Sequence, residues 1–252
     1  MNTNIFKESL YFFKFLVFSL MFVFISVCIM LVSLSFKNEA QNYENTFISE
    51  KSDLVIVIDA GHGGEDGGAV SDTGIVEKDI NLDIALKLHS LMQLSDFESV
   101  LIRDCDRLMY EPGQEKHKKA SDITNRINKT KSFENNIFIS IHQNKFPIKK
   151  YSGLQVYYSN NDKNSEILGK IIQSNVKTFL QNDNNRQIKK ADKNIRIVDS
   201  IKTPAVLVEC GFLSNDREAE LLNSDQYRSK IAYLLYCSII QYLDENKDGK
   251  AN

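Results

Sequence analysis

The sequence lacks an excess of either charge. Its 252 residues carry 31 Lys and Arg against 33 Asp and Glu, a formal net charge of −2. Without a basic surplus there is no electrostatic footprint for nucleic acid, which speaks against a nucleic-acid partner. A disulfide framework is missing too. Of four cysteines, Cys28 falls in an apolar run, and Cys105, Cys210 and Cys237 form an odd set with no CxxC spacing. That excludes both a stapled scaffold and a zinc knuckle, and the three read as buried apolar fillers. There is no internal repeat, and the length suits one good-sized domain with no second one expected. Tryptophan is absent as well, from which nothing about function follows.

The charges are also missing from one stretch in particular. "FLVFSLMFVFISVCIMLVSLSF", residues 15–36, holds 22 residues without a charge, and a transmembrane helix needs about 20. Lys7 and Lys14 precede it, so residues 1–14 are expected in the cytoplasm and everything after Phe36 outside. A cleaved signal peptide would have a shorter apolar region of about 7–15 residues. In addition, "SFKNEAQ" is a poor cleavage site, and "ISVC" is a poor lipoprotein signal at Cys28. The reading is an uncleaved anchor over 15–36, a polar linker over 37–53, a folded domain over 54–245 and a polar tail over 246–252.

From Leu54 onward, strand-like and helix-like stretches alternate. "LVIVID" (54–59), "SVLIRD" (99–104), "IFISIH" (137–142) and "PAVLVE" (204–209) read as strands, and "GLQVYYS" (153–159) as an edge strand. Helices are expected over 79–94, with Ile80, Ile84, Leu88 and Leu91 on one face, and over 120–132, capped by Ser121. Two more are expected over 165–180, with Ile167, Leu168, Ile171, Ile172 and Phe179 turned inward, and over 225–243. The alternation predicts an α/β domain with a largely parallel or mixed sheet and helices on both faces.

Three of these strands run into chemistry. The first leads to His62 in "VIVIDAGHGGEDGGAV", the third ends at His142, and the last ends at Glu209. In open α/β sheets, ligands gather beyond the carboxyl ends of strands. Glu77 stands near the start of the first helix, plausible on the same side as His62. His62, Glu77 and His142 would make a His₂Glu set, a known zinc arrangement that leaves one position open, with Glu209 remaining as general base. Each residue has a plainer explanation: His62 as a turn residue, Glu77 as a first-turn carboxylate favoured by the helix dipole, His142 as a hydrogen-bonded strand end. Their convergence outweighs these. His89 lies mid-helix and His117 in a charged loop, and neither joins the set. A dinucleotide fingerprint of Gly61, Gly63 and Gly67 with Asp104 is the rival. It requires a helix directly after the glycines, and "AVSDTGIVEKD" intervenes.

The stretches "VIDAGHGGEDGGAV", "GIVEKDINLDIALKL", "VLIRDCD", "ISIHQNKF" and "PAVLVECGFLSNDREAELL" together resemble the zinc-dependent N-acetylmuramoyl-L-alanine amidases of the amidase 3 type, over residues 54–243. The resemblance implies a single α/β domain with a six-stranded sheet flanked by helices. It implies that His62, Glu77 and His142 bind one zinc ion per chain and that Glu209 is the catalytic glutamate. Arg126, in "SDITNR", falls where the family has an arginine, structural or substrate-positioning. Lys145 stands where the family often has a small residue, which bears on substrate preference. An anchor, a linker and a bare catalytic domain, with 66 residues between His142 and Glu209, resemble the germination-specific amidases, which act on spore-cortex peptidoglycan and prepare muramic-δ-lactam. The implied location is membrane-anchored and extracytoplasmic, at the cell wall or between the forespore membranes, with peptidoglycan as partner and an activating protein left open. The other readings are a silent wall-binding scaffold on the same fold, or another zinc peptidase or deacetylase.

Overall fold

A computed structural model describes residues 20–21, 26–34, 53–111 and 113–247. The chain divides into two units, Met1–Asp53 and Leu54–Asn252. The expected anchor falls in the first, and only part of it is described: residues 20–21 and 26–34 are helical. Among the described residues no helix is long and apolar enough to cross a membrane. The expected linker over 37–53 lies outside the described residues except for Asp53, and 248–252 of the tail lie outside them entirely.

The second unit is an α/β layer structure. Six strands, β1 (Val55–Ala60), β2 (Ser99–Leu101), β3 (Asn136–Asn144), β4 (Gln155–Tyr158), β5 (Lys189–Lys190) and β6 (Ala205–Phe212), form one sheet in the order β2-β1-β3-β6-β4-β5. All neighbours are parallel except β4 and β6. The helices are α1 (Glu77–Leu94), α2 (Lys118–Lys131), α3 (Lys163–Phe179), α4 (Arg196–Asp199), α5 (Asp216–Asn223) and α6 (Asp225–Lys247).

The period of two along each strand sorts side chains to opposite faces. Ile56 and Ile58, Ile139 and Ile141, and Val206 and Val208 join α1, α3 and α6 in one buried cluster. Val55 and Val57, Phe138, Ala205 and Leu207 join Ile127 of α2 and Val198 of α4 in the other. Because the central strands are covered on both sides, their sequences read as continuous apolar runs rather than alternating ones.

Several expectations change. β4 is not at an edge, because the two residues of β5 pair outside it. Ser121 does not cap α2. The helix begins at Lys118, and the Ser121 hydroxyl bonds Gln114 instead. Phe179 is 76% exposed at the end of α3, where Val176 faces the core in its place. Of the cysteines, Cys210 is buried, but Cys105 is exposed in the turn after β2. The sequence pattern also misses α5, whose start is marked by Asn215 accepting from the Glu218 N–H at 3.1 Å.

Candidate metal centre

The site grows out of the carboxyl end of β1, where two buried arginines hold the backbone. Arg126 donates to the carbonyls of Ala60 at 2.7 Å and His62 at 2.6 Å. Arg103 donates to Ala60 O at 2.9 Å and to Gly61 O at 3.1 Å. Arg126 is neutralised by Asp59 Oδ1 at 2.6 Å and Asp122 Oδ2 at 2.7 Å, and Ser140 donates to the other Asp59 oxygen at 2.7 Å. Burial opposes the charge on Asp59, but Arg126 and the Ser140 hydroxyl outweigh it and hold the carboxyl below its ordinary range. Held this way, the chain turns through His62 at φ 62°, a left-handed conformation uncommon for a residue with a side chain.

His62, Glu77 and His142 meet beyond the sheet edge. Each offers one ligand atom, and these atoms lie within 4.8 Å of one another. Glu77 Oε1 is 3.3 Å from His62 Nε2 and 3.0 Å from His142 Nδ1. Glycine makes this approach possible. A Cβ on Gly61 would lie 2.2 Å from His142 Cε1, and one on Gly68, at φ +70°, would lie 2.6 Å from Glu77 Oε2. Asp66 Oδ2 faces His62 Nδ1 at 3.0 Å. If Nδ1 carries the proton toward this carboxylate, the Nε2 lone pair is left to the cluster.

Glu77 is the first residue of α1, and the carboxylate is held by protein donors. The Ala69 N–H reaches Oε2 at 2.8 Å, and the Gln143 N–H and Asn81 Nδ2 reach Oε1 at 2.9 and 3.2 Å. Burial raises the pKa of this carboxyl, but the hydrogen bonds and charges of His142 and His62 outweigh that and depress it strongly. Burial likewise works against charge on His62, where Glu77 and Asp66 prevail and raise the pKa.

Glu209 stands beside this cluster. It is the register partner of His142 on the adjacent parallel strand, so both side chains leave the sheet on one face. Its Oε2 is buried with no hydrogen-bond partner among the described residues. Burial, reinforced by the nearby Glu77 charge, pushes the carboxyl up to about 7 against the partial opposition of His142 and His62.

The structure therefore brings His62, Glu77, His142 and Glu209 to one place and leaves the others out. His89 pairs with the Ser99 hydroxyl at 2.8 Å, and His117 is exposed. The dinucleotide reading fails on geometry. A bridge between Val70 and Val76 separates the glycine loop from α1, and Asp104 is exposed against Arg107. Arg126 faces backbone and two aspartates, which makes it structural. Sequence reasoning passed over Asp66, Arg103, Asn81 and Gln143. The available signals were a polar Asn81 on the apolar face of α1 and an arginine closing "SVLIR".

Two imidazoles and one carboxylate, an orphaned carboxylate oxygen and glycines that leave no room for a Cβ fit a catalytic zinc ion. Comparisons with known proteins cover the same part of the chain. A family model described as N-acetylmuramoyl-L-alanine amidase, amidase 3, matches residues 56–241. A germination-specific N-acetylmuramoyl-L-alanine amidase of Bacillus subtilis is 33% identical over 199 residues, 78% of this chain and 83% of the relative. The CwlD amidase from Clostridioides difficile, solved in complex with the GerS lipoprotein, is 38% identical with a TM-score of 0.73, covering 76% of this chain and 99% of that one. The catalytic domain of CwlV, an amidase from Bacillus (Paenibacillus) polymyxa, is 28% identical with a TM-score of 0.64, covering 76% and 98%.

Proposed function

The chain belongs to the amidase 3 family of N-acetylmuramoyl-L-alanine amidases, and from that premise we propose that His62, Glu77 and His142 hold one zinc ion and that Glu209 is the general base. The reaction is hydrolysis of the amide between the lactyl group of N-acetylmuramic acid and the L-alanine of the stem peptide. The observation that carries the site assignment is the pairing of His142 with Glu209 across β3 and β6, next to three ligand atoms within 4.8 Å of one another.

When bound, zinc supplies Lewis acidity, polarising a carbonyl and making water a stronger acid. The chain's residues do the rest. Glu209 Oε2, free of any protein donor among the described residues, accepts a proton from the attacking water and returns it to the nitrogen of the departing L-alanine. A general base must sit within reach of the proton it takes, and the register pairing of Glu209 with His142 places its carboxyl beside the ligand set. Asp66 fixes the ring of His62, and Arg103 and Arg126 fix the backbone behind it.

The apolar run over 15–36 and the lysines before it support a membrane anchor, with 37–53 as linker and the domain outside the cytoplasm. The germination-specific relative supports action on spore-cortex peptidoglycan, toward muramic-δ-lactam. The relative solved with a lipoprotein supports a protein partner for this chain. The test is mass spectrometry of digested peptidoglycan. Stem peptides released with an intact L-alanine amine are expected. Cleavage between amino acids would point to a peptidase, free acetate to a deacetylase, and unaltered polymer with retained binding to a silent scaffold.

A further inference from the structure

Asn81 touches all three chain segments that carry the ligand set. It is fully buried on the inner face of α1, one turn after Glu77. Its Nδ2 has two hydrogens and two acceptors in reach, Glu77 Oε1 at 3.2 Å and the Gly61 carbonyl at 3.1 Å. Its Oδ1 accepts from Gln143 Nε2 at 3.1 Å. Gly61 directly precedes His62, and Gln143 directly follows His142. One side-chain amide is thus bonded to the glutamate of the set and to the immediate neighbour of each histidine.

The orientation of that amide is set by its surroundings. Turned over, it would place its oxygen against a carboxylate and a backbone carbonyl, both of which only accept. The Gln143 backbone N–H is committed to Glu77 Oε1 at 2.9 Å, and reversing the Gln143 side chain would set its oxygen against Asn81 Oδ1. Nδ2 presents hydrogens to the cluster, so Asn81 cannot itself be a ligand. Helix packing gives no reason for an amide here, since the neighbouring inward positions are Ile80, Ile84 and Ala85. A buried amide is costly unless its bonds are made, and the bonds it makes all lead to the ligand set.

We infer that Asn81 is a positioning residue that sets the spacing of Glu77 from the two histidine-bearing segments, and through it the affinity of the site for zinc. The inference rests on the zinc reading given above. Residues that orient metal ligands from behind typically contribute about 10–100-fold to metal affinity.

The test uses the full-length chain in detergent. Zinc affinity is measured by competition with a chromophoric chelator, and ligand geometry by the visible spectrum of the cobalt-substituted protein. Asn81→Leu keeps the size of the side chain and removes all three bonds. It is expected to weaken zinc about 10–100-fold and to alter the cobalt spectrum. Gln143→Leu breaks only the outer bond and should give a smaller loss in the same direction, and it decides the matter if Asn81→Leu does not fold. Wild-type affinity and an unchanged cobalt spectrum in the folded variants, with only the melting temperature of the metal-free protein lowered, would overturn the inference and leave the zinc reading intact. A wild-type chain that binds no zinc would bring down both.

Discussion

Arg126 holds the carbonyl of His62 at 2.6 Å from the far side of the turn that points the imidazole into the cluster. The guanidinium is buried and makes four such bonds, two of them to Asp59 and Asp122. Removing one partner of a buried ion pair leaves an uncompensated charge, which costs about 3–5 kcal/mol. Arg126→Met should lose that much stability by urea unfolding. Adding Asp59→Asn to the same chain should restore part of it. Additive losses in the double variant would show that the two side chains are not coupled.

Glu209 and Glu77 should separate chemistry from binding. Glu209→Gln keeps the shape but cannot take the proton, so zinc content is expected to stay near one per chain while turnover falls about 10²–10⁴-fold. Glu77→Gln should lose zinc. Retention of zinc by Glu77→Gln together with its loss from Glu209→Gln would exchange their roles.

The metal-free protein should lose stability as pH rises from about 4.5 toward 7. Burial raises the Glu209 carboxyl from 4.5 to about 7, so the folded state binds more protons than the unfolded one across that window. The Glu209 contribution is full below the lower value and is lost as pH rises through the folded value, by on the order of 3 kcal/mol. His62, whose raised pKa stabilises its protonated form, adds loss of the same sign as pH rises through its folded value. Asp59, with a lowered pKa, acts oppositely and only in acid. The diagnostic is therefore the difference between wild type and Glu209→Gln in chelator-treated samples. Parallel stability–pH curves for the two would rule out the raised Glu209.

Gly61→Ala tests the close approach of the ring. Its Cβ would sit 2.2 Å from His142 Cε1, closer than any real contact, so His142 must move. Overpacking of about 1–3 kcal/mol corresponds to roughly a 10–100-fold loss of zinc affinity, measurable by chelator competition. Wild-type affinity in this variant would mean that His142 does not ligate from its observed position.

Full-length protein is expected to fractionate with membranes, and deletion of residues 1–36 to release it. A mature N-terminus near Gln41 would identify 15–36 as a cleaved signal.

The sheet was legible where burial on both faces leaves unbroken apolar runs, as at "LVIVID" and "IFISIH". It was not legible at β5, whose two residues, Lys189 and Lys190, are exposed and pair only through backbone. The residues that could ligate or act as base were legible because each ends an apolar run or begins a helix. Their supports were not. Arg103 and Arg126 bond to carbonyls 43 and 66 positions away in sequence, and such contacts carry no local period. Asn215 and Glu218 did carry a local signal for α5, but Glu218 spends its carboxylate on the N–H groups of Gly153 and Phe212.

The boundary between β3 and β6 is a seam on which the whole enzyme is aligned. To one side lie β1 and β2 with the glycine loop, and to the other lie β4 and β5. Only His142 and Glu209 face each other across it at its chemical end, directly before the register shifts between His142 and Asn144. A slip of one residue along this seam would send the two side chains to opposite faces. On the proposed roles of His142 and Glu209, hydrolysis by this protein is thus a gauge of strand alignment.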